Sequence, residues 1–198
     1  MKEFWNERYS EAGFAYGKEP NAFFAQELDK VAHGNLILPC EGEGRNAAYA
    51  ATKGWKTYAF DFSEEAKKKA LQWANELQVS IKYDAANVLD ADFEKNNADV
   101  VAFIYAHFPD KVRPIIHQKA VEWLKPGGKI ILEAFNTHQL ANTSGGPKER
   151  SMLYSKEILQ ADFNELDINL LTYNEIELKE GKYHKGKADV IRMVATKK

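Results

Sequence analysis

Cysteine is almost missing from the sequence: Cys40 is the single one in 198 residues. That excludes an internal disulfide and any cysteine-based zinc cluster, and it fits a reducing compartment. Long apolar runs are missing too. No stretch approaches the ~20 residues that a membrane-spanning helix needs, and the opening MKEFWNERYS mixes charge with aromatics from its second residue. A soluble, cytoplasmic protein without a membrane partner is expected. Nor is positive charge in excess. The formal net charge is -2, so there is no global basic field to hold a nucleic-acid backbone, and no nucleic-acid partner is expected. Repeats and low-complexity tracts are also lacking. What is there, 44% hydrophobic and 12% aromatic residues, suffices for one good core in a chain too short for two ordinary domains.

The pattern alternates between strand-like and helix-like segments. NLILP (35–39) is a continuous apolar run, and RNAAYAATKG behind it is alanine-rich and closes on Gly54, a natural helix stop. That spells strand, glycine loop, helix. KTYAFD (56–61) reads as a second strand; Ser63 then caps EEAKKKALQWANELQ, with Glu64 and Glu65 in the first turn, where the helix dipole favours acid. SIKYD (80–84) is a third strand, and DVVAFIYAHF (99–108), too uniformly apolar to be half solvated, a central one. A helix after Asp110 is expected to turn Ile115, Ile116, Ala120, Trp123 and Leu124 inward. Leu124, Lys125, Pro126, Gly127 and Gly128 make a sharp stop and turn before the fifth strand, KIILEAF (129–135). The polar stretch that follows, broken by Gly145, Gly146 and Pro147, is long enough for a functional loop. Ser155 caps a short helix, KEILQADF, and the runs LDINLLTYNEIEL and KADVIRMVATKK, separated by EGKYHKG, predict an antiparallel hairpin. Together these predict an α/β fold: a Rossmann-like, doubly wound, mostly parallel seven-stranded sheet closed by that hairpin. Ligands in such sheets sit at the carboxyl ends of the strands, at the switch point.

The glycine loop ILPCEGEGRNA (37–47) is unusual in its acids. Gly42, Gly44 and Ala47 fit G-x-G-x-x-A, and Asp61 closes the second strand at the spacing of a ribose-binding carboxylate. Asp61 also reads as a plain turn residue before Ser63. Glu41 and Glu43 oppose a dinucleotide, whose pyrophosphate would lie on this loop and the helix behind it. S-adenosylmethionine has no phosphate and carries net positive charge, which an acidic loop suits. Glu41 and Glu43 facing water is the competing expectation.

Residues 35–135 resemble a class I S-adenosylmethionine-dependent methyltransferase, and FWNERYSEAGFAYGKEPNAFF with EGEGRNAAYAATKGW resembles the small-molecule tellurite-resistance and thiopurine type. The resemblance implies S-adenosyl-L-methionine as cofactor and a small-molecule methyl acceptor. It places Gly42 and Gly44 in the first motif, Asp61 on the ribose, Asn87 of AANVLD at the adenine with Val88 and Phe62 beside it, and Tyr16 and Gly17 near the methionine end. Two residues depart from the pattern: Cys40 stands where the first glycine is usual, and Leu38 where an acid is usual inside the first strand. Glu41 or the aromatic N-terminal segment is then expected to supply the missing contact.

That segment concentrates Phe4, Trp5, Tyr9, Phe14, Tyr16, Phe23 and Phe24 ahead of the first strand. It suits a lid, residues 1–34, over a sheet core of 35–198 in one domain, with Trp5 and Phe24 assigned to the core. On the acceptor side, Tyr105 and His107 close the fourth strand, where the methyl group should emerge. His107 reads either as a base or as a residue that only fixes the turn into Pro109. Glu133, an acid in an apolar strand, is a third catalytic candidate, because a buried carboxylate needs a partner. His184, among Lys182, Lys185 and Lys187 in the hairpin turn, either reaches over the pocket or belongs to a solvated basic turn, the second being the preferred reading. Methyl transfer to a thiol, oxyanion or similar nucleophile is the expected function. A nicotinamide-dependent oxidoreductase and a non-catalytic S-adenosylmethionine-binding protein are the alternatives.

Overall fold

The computed structural model describes residues 2–198. Thirteen main elements build it: α1 (Lys2–Ser10), α2 (Ala22–Leu28), β1 (Asn35–Pro39), α3 (Arg45–Thr52), β2 (Lys56–Asp61), α4 (Glu64–Glu76), β3 (Lys82–Ala85), β4 (Ala98–Ile104), α5 (Arg113–Trp123), β5 (Leu124–Phe135), α6 (Lys156–Asp162), β6 (Leu166–Glu180) and β7 (His184–Lys197). Three helix starts have a local cause. Asn21 accepts a hydrogen bond from the Phe24 N–H, Ser63 from Ala66 and Ser155 from Ile158, so α2, α4 and α6 begin at side-chain caps. β1 and β2 run over the residues expected from their apolar patterns.

The seven strands form one sheet in the order β3-β2-β1-β4-β5-β7-β6. The first five run parallel, and β7 lies antiparallel between β5 and β6. β4 is buried on both faces, which is why its sequence does not alternate in polarity. Val101 and Phe103 pack under α5 with Ile116, Ala120 and Trp123. Val100 and Ala102 face the other way, onto Phe24, Leu28, Ala47 and Ala50 of α2 and α3. The strand order reverses between β1 and β4, so the crevice at their carboxyl ends is the switch point.

Four expectations change. β4 ends at Ile104, before Tyr105 and His107. Ile115 points outward at 54% exposure while Ile116 is sealed, because the buried arc of α5 runs through Arg113, Ile116, His117, Ala120 and Val121 and leaves Ile115 outside it. Leu124 already pairs with Ala98, so the Lys125–Gly128 turn is a bulge inside β5. The hairpin strands run through EGKYHKG to the pair Glu180 and His184, leaving only residues 181–183 as the turn. Among the described residues, no helix is long and apolar enough to cross a membrane.

Candidate active site

A cavity of about 700 Å³ opens at the carboxyl ends of β1, β2 and β4. Cys40, directly after β1, and Tyr105, directly after β4, both adopt left-handed backbone, with φ of 55° and 53°. Such conformations are costly for residues with a side chain and persist where the surroundings impose them. Both residues line the cavity, as do Tyr16, Gly17, Glu41, Gly42, Asp61, Phe62, Asn87 and Val88. Gly44 and Glu133 do not; Gly44 starts α3 and packs on Ala70.

On the β1–β2 side, Asp61 is buried and accepts the Ser63 N–H at 3.0 Å and the Gly42 N–H at 3.3 Å. Burial lifts its carboxyl to about 6, against the pull of those N–H groups. A carboxylate with lone pairs left over suits a pair of hydroxyls. Tyr83 donates to the Gly42 carbonyl at 2.5 Å, fixing the loop. Gly42 must be glycine: a β-carbon there would lie 2.7 Å from the Tyr9 hydroxyl.

Neither glutamate of the loop is solvated. Glu41 Oε1 accepts the N–H groups of Asn46 and Ala47, both at 2.8 Å, so the carboxylate caps α3. The anion site at this helix start is therefore filled by the protein itself, and a pyrophosphate has no place there. Glu43 accepts the Ala15 N–H at 2.7 Å and pairs with Lys69 at 2.8 Å, tying the N-terminal segment to the loop. A dinucleotide would need these N–H groups for its pyrophosphate; S-adenosylmethionine, which has no phosphate, does not.

Burial raises the Glu41 carboxyl to about 7, offset in part by the Ala47 and Asn46 hydrogen bonds. A carboxyl with a folded pKa above its unfolded one stabilises most below the unfolded value, and that stability is lost as pH rises through about 7. Glu41→Gln keeps the Oε1 acceptor and removes the titration. Without ligand, the variant is expected to gain on wild type between pH 5.5 and 8 by a few degrees in Tm, the shift that about 1–2 kcal/mol makes in a chain of this size. Parallel melting curves of the two proteins across that range would refute the assignment.

The acceptor side reverses the ranking of the histidines. His107 lines the cavity, but its Nδ1 lies 2.8 Å from the Met152 carbonyl and its Nε2 accepts the Phe135 N–H at 3.2 Å. Both ring nitrogens are engaged, and burial lowers its pKa to about 4. The ring bridges β5 and the loop at Met152, a bond pattern that neither the base reading nor the Pro109-turn reading named. Glu133 is likewise held, by Arg192 at 2.5 Å, Asn21 at 2.6 Å and the Tyr105 hydroxyl at 2.9 Å. Tyr105 thus donates away from the cavity and contributes its ring.

His184 is the residue that sequence reasoning misplaced. It is buried, not solvated, and its ring sits 4.5 Å from that of Tyr16 and 4.6 Å from that of Tyr105. Nδ1 lies 3.2 Å from Glu180 Oε2, which also pairs with Arg45 at 2.9 Å. Nε2 has no hydrogen-bond partner among the described residues, yet no side-chain nitrogen or oxygen is both buried and unpartnered. That nitrogen therefore keeps accessible surface, on a residue that lines the cavity and packs its ring edge against Gly145. Burial lowers its pKa and Glu180 opposes the shift, so the ring is neutral at pH 7 with a lone pair available.

α1 and the turn behind it cover the cavity. Trp5, assigned to the core from the sequence, is a half-buried wall residue stacked 5.4 Å from Tyr9; Phe24 is core as expected. The tip of the β6–β7 hairpin holds this cover down. Lys182 donates its N–H to the Ala15 carbonyl at 3.0 Å, and Lys182 pairs with Glu11 at 2.6 Å. Gly181 allows the approach, since a β-carbon would lie 2.5 Å from that carbonyl.

A family model described as a methyltransferase domain matches residues 39–128. Thiopurine S-methyltransferase of Legionella pneumophila (strain Corby) is 24% identical, over 69% of this chain and 71% of that protein. Two solved structures share the fold. TehB from Haemophilus influenzae superposes with a TM-score of 0.74 at 16% identity, covering 100% of this chain and 67% of that one. The N-methyltransferase NodS from Bradyrhizobium japonicum, in complex with S-adenosyl-L-homocysteine, gives 0.73 at 12% identity, covering 99% and 97%.

Proposed function

We propose, from the premise that this chain is a class I S-adenosylmethionine-dependent methyltransferase, that it methylates a small, uncharged acceptor of the thiol type. One observation carries the reading. Beyond the Asp61 side, the cavity wall carries the apolar Phe108, Val112, Ile116, Phe135 and Met152, and among them His184, whose Nε2 is not engaged by another described residue. An oxyanion would need an unpaired cation. Arg192 is committed to Glu133 and Arg45 to Glu180; Arg8, which lines the cavity without a carboxylate partner among the described residues, is held at the α1 cover by the Tyr16 hydroxyl and the Phe4 and Tyr183 rings, and is the cation an oxyanion would have to recruit. A thiol needs only an apolar slot and a base.

S-adenosylmethionine supplies an electrophilic methyl group whose leaving sulfur is already good, so alignment in a dry pocket matters most. Asp61 would hold the ribose hydroxyls, with Phe62, Asn87 and Val88 around the adenine and Tyr16 and Gly17 at the methionine end. Tyr105 and Phe135, with rings 4.8 Å apart, wall off water. His184 Nε2 takes the proton from the acceptor sulfur, and Glu180 balances the imidazolium that results.

The purified protein is expected to form S-adenosylhomocysteine at least about tenfold faster with benzyl mercaptan than with sodium selenite, since an unpaired buried anion is disfavoured by well over 1.4 kcal/mol. Preference for selenite would overturn the acceptor assignment.

A further inference from the structure

We infer that Arg45 is a positioning residue for the acceptor base: it anchors Glu180, and through Glu180 it fixes the direction in which His184 presents Nε2. The inference rests on the reading of His184 given above.

The placement of Arg45 calls for a compensating partner. It is the first residue of α3, directly after Gly44, where a positive charge opposes the helix dipole. Its side chain is only 9% exposed, so it has also lost most of its water. Its bonds show what offsets both penalties. Nη1 donates to the carbonyls of Tyr16 at 3.2 Å and Glu19 at 3.4 Å, and Nη2 meets Glu180 Oε2 at 2.9 Å. The same oxygen receives His184 Nδ1. Guanidinium and imidazole thus converge on one atom, and Glu180 and His184 are paired across the hairpin end. The residue after the glycine loop of β1 is in this way bonded, through one carboxylate, to the nitrogen opposite the one facing the acceptor.

The charges around His184 give the inference a sign. Glu180 from β6 raises its pKa; Arg45 from α3 and Arg8 from α1 lower it, with burial the largest effect. Tyr16, Tyr105 and Phe135 contribute rings, and His107 is a neutral neighbour. Removing Arg45 should therefore move the His184 titration up, and removing the Glu180 charge should move it down. A residue that merely fills space would do neither.

The test is the ring-proton titration of His184 by NMR in the ligand-free full chain, for wild type, Arg45→Met, Arg45→Lys and Glu180→Gln, with steady-state methylation of benzyl mercaptan alongside. Arg45→Met is expected to raise the midpoint by about half a pH unit and to lower kcat about three- to thirtyfold, with the affinity for S-adenosylhomocysteine within about threefold. Arg45→Lys should restore the midpoint and part of kcat, because it keeps the charge and loses the fork. Glu180→Gln should lower the midpoint. A midpoint unmoved in Arg45→Met, or a loss confined to cofactor affinity, would overturn the inference. If Arg45→Met does not fold, an unmoved midpoint in Glu180→Gln does the same. Full activity of His184→Asn would instead remove the base reading, while the midpoints would still report whether Arg45 and His184 are coupled.

Discussion

His184→Asn is expected to lower kcat for benzyl mercaptan by about 10²- to 10⁴-fold, the usual worth of a positioned general base. The substitution keeps a polar group of similar size in the hairpin, so the Tyr16 and Tyr105 rings retain a neighbour. Cofactor affinity should change little, because His184 makes none of the contacts assigned to the adenosine. The pH profile supplies the internal control. In wild type the rate should fall on the acid side as the imidazole protonates, at a pH below the ordinary histidine value, since burial lowers its pKa. In the variant that limb should vanish, and activity should recover above about pH 9, where an alkyl thiol ionises unaided. Wild-type kcat in His184→Asn at pH 7 would end the proposal that this nitrogen takes the proton.

Asp61→Asn should weaken S-adenosylhomocysteine by about 10- to 150-fold, the 1.5–3 kcal/mol of hydrogen bonds made to a charged group. Asparagine is a milder replacement than alanine here, since its carbonyl oxygen still accepts one of the two backbone N–H groups while its NH2 faces the other. Both carboxylate oxygens already accept backbone N–H groups, from Ser63 and Gly42, and alanine would leave the two without partners. The ligand-free protein should meanwhile lose little stability near neutral pH, because removal of a buried charge offsets the one N–H bond given up. Burial raises the Asp61 carboxyl to about 6, so the folded state holds its proton more tightly than the unfolded chain, and the charged form is the disfavoured one above that pH. Calorimetric titration together with melting curves checks the crossed result. Unchanged affinity would move the ribose site elsewhere; a joint fall of affinity and Tm would make Asp61 a structural residue.

The parts of this site that follow from local chemistry were legible in the sequence. NLILP and KTYAFD gave β1 and β2 to the residue because a continuous apolar run bounded by turn chemistry has few other solutions, and Ser63 with two acids behind it marked a helix start. Asp61 followed from its distance to Gly42. What could not be read was where long-range pairing turns a side chain. His107 looked better than His184 because it follows the central strand, yet a loop carbonyl 45 residues away takes its Nδ1. The lysines around His184 suggested water, but alternation along β7 sends Lys185 and Lys187 out and His184 in. Glu41 and Glu43 were noticed for their charge and turned out to be bonded to the backbone of α3 and of the cover. Arg45 was overlooked although a signal existed: a guanidinium at the first position of a helix, against the dipole, implies a carboxylate partner.

The insertion of β7 between β5 and β6 has a consequence for how the molecule comes into being. Translation delivers β7 after every other strand, yet it belongs in the interior of the sheet, paired to β5 from Lys129 to Phe135. A nascent chain that has reached Glu180 can already assemble the crevice between β1 and β2, with Asp61, Gly42 and the capped α3 in place. It has no Arg192 for the buried Glu133, no His184 for Glu180, and a bare edge on β5 rich in isoleucine and leucine. Such an edge is the kind that recruits another chain before its own strand arrives. The β1–β2 side of the crevice is thus finished early and the hairpin side late, so premature termination before His184 yields a molecule with that crevice, without His184 and with an uncovered β5 edge.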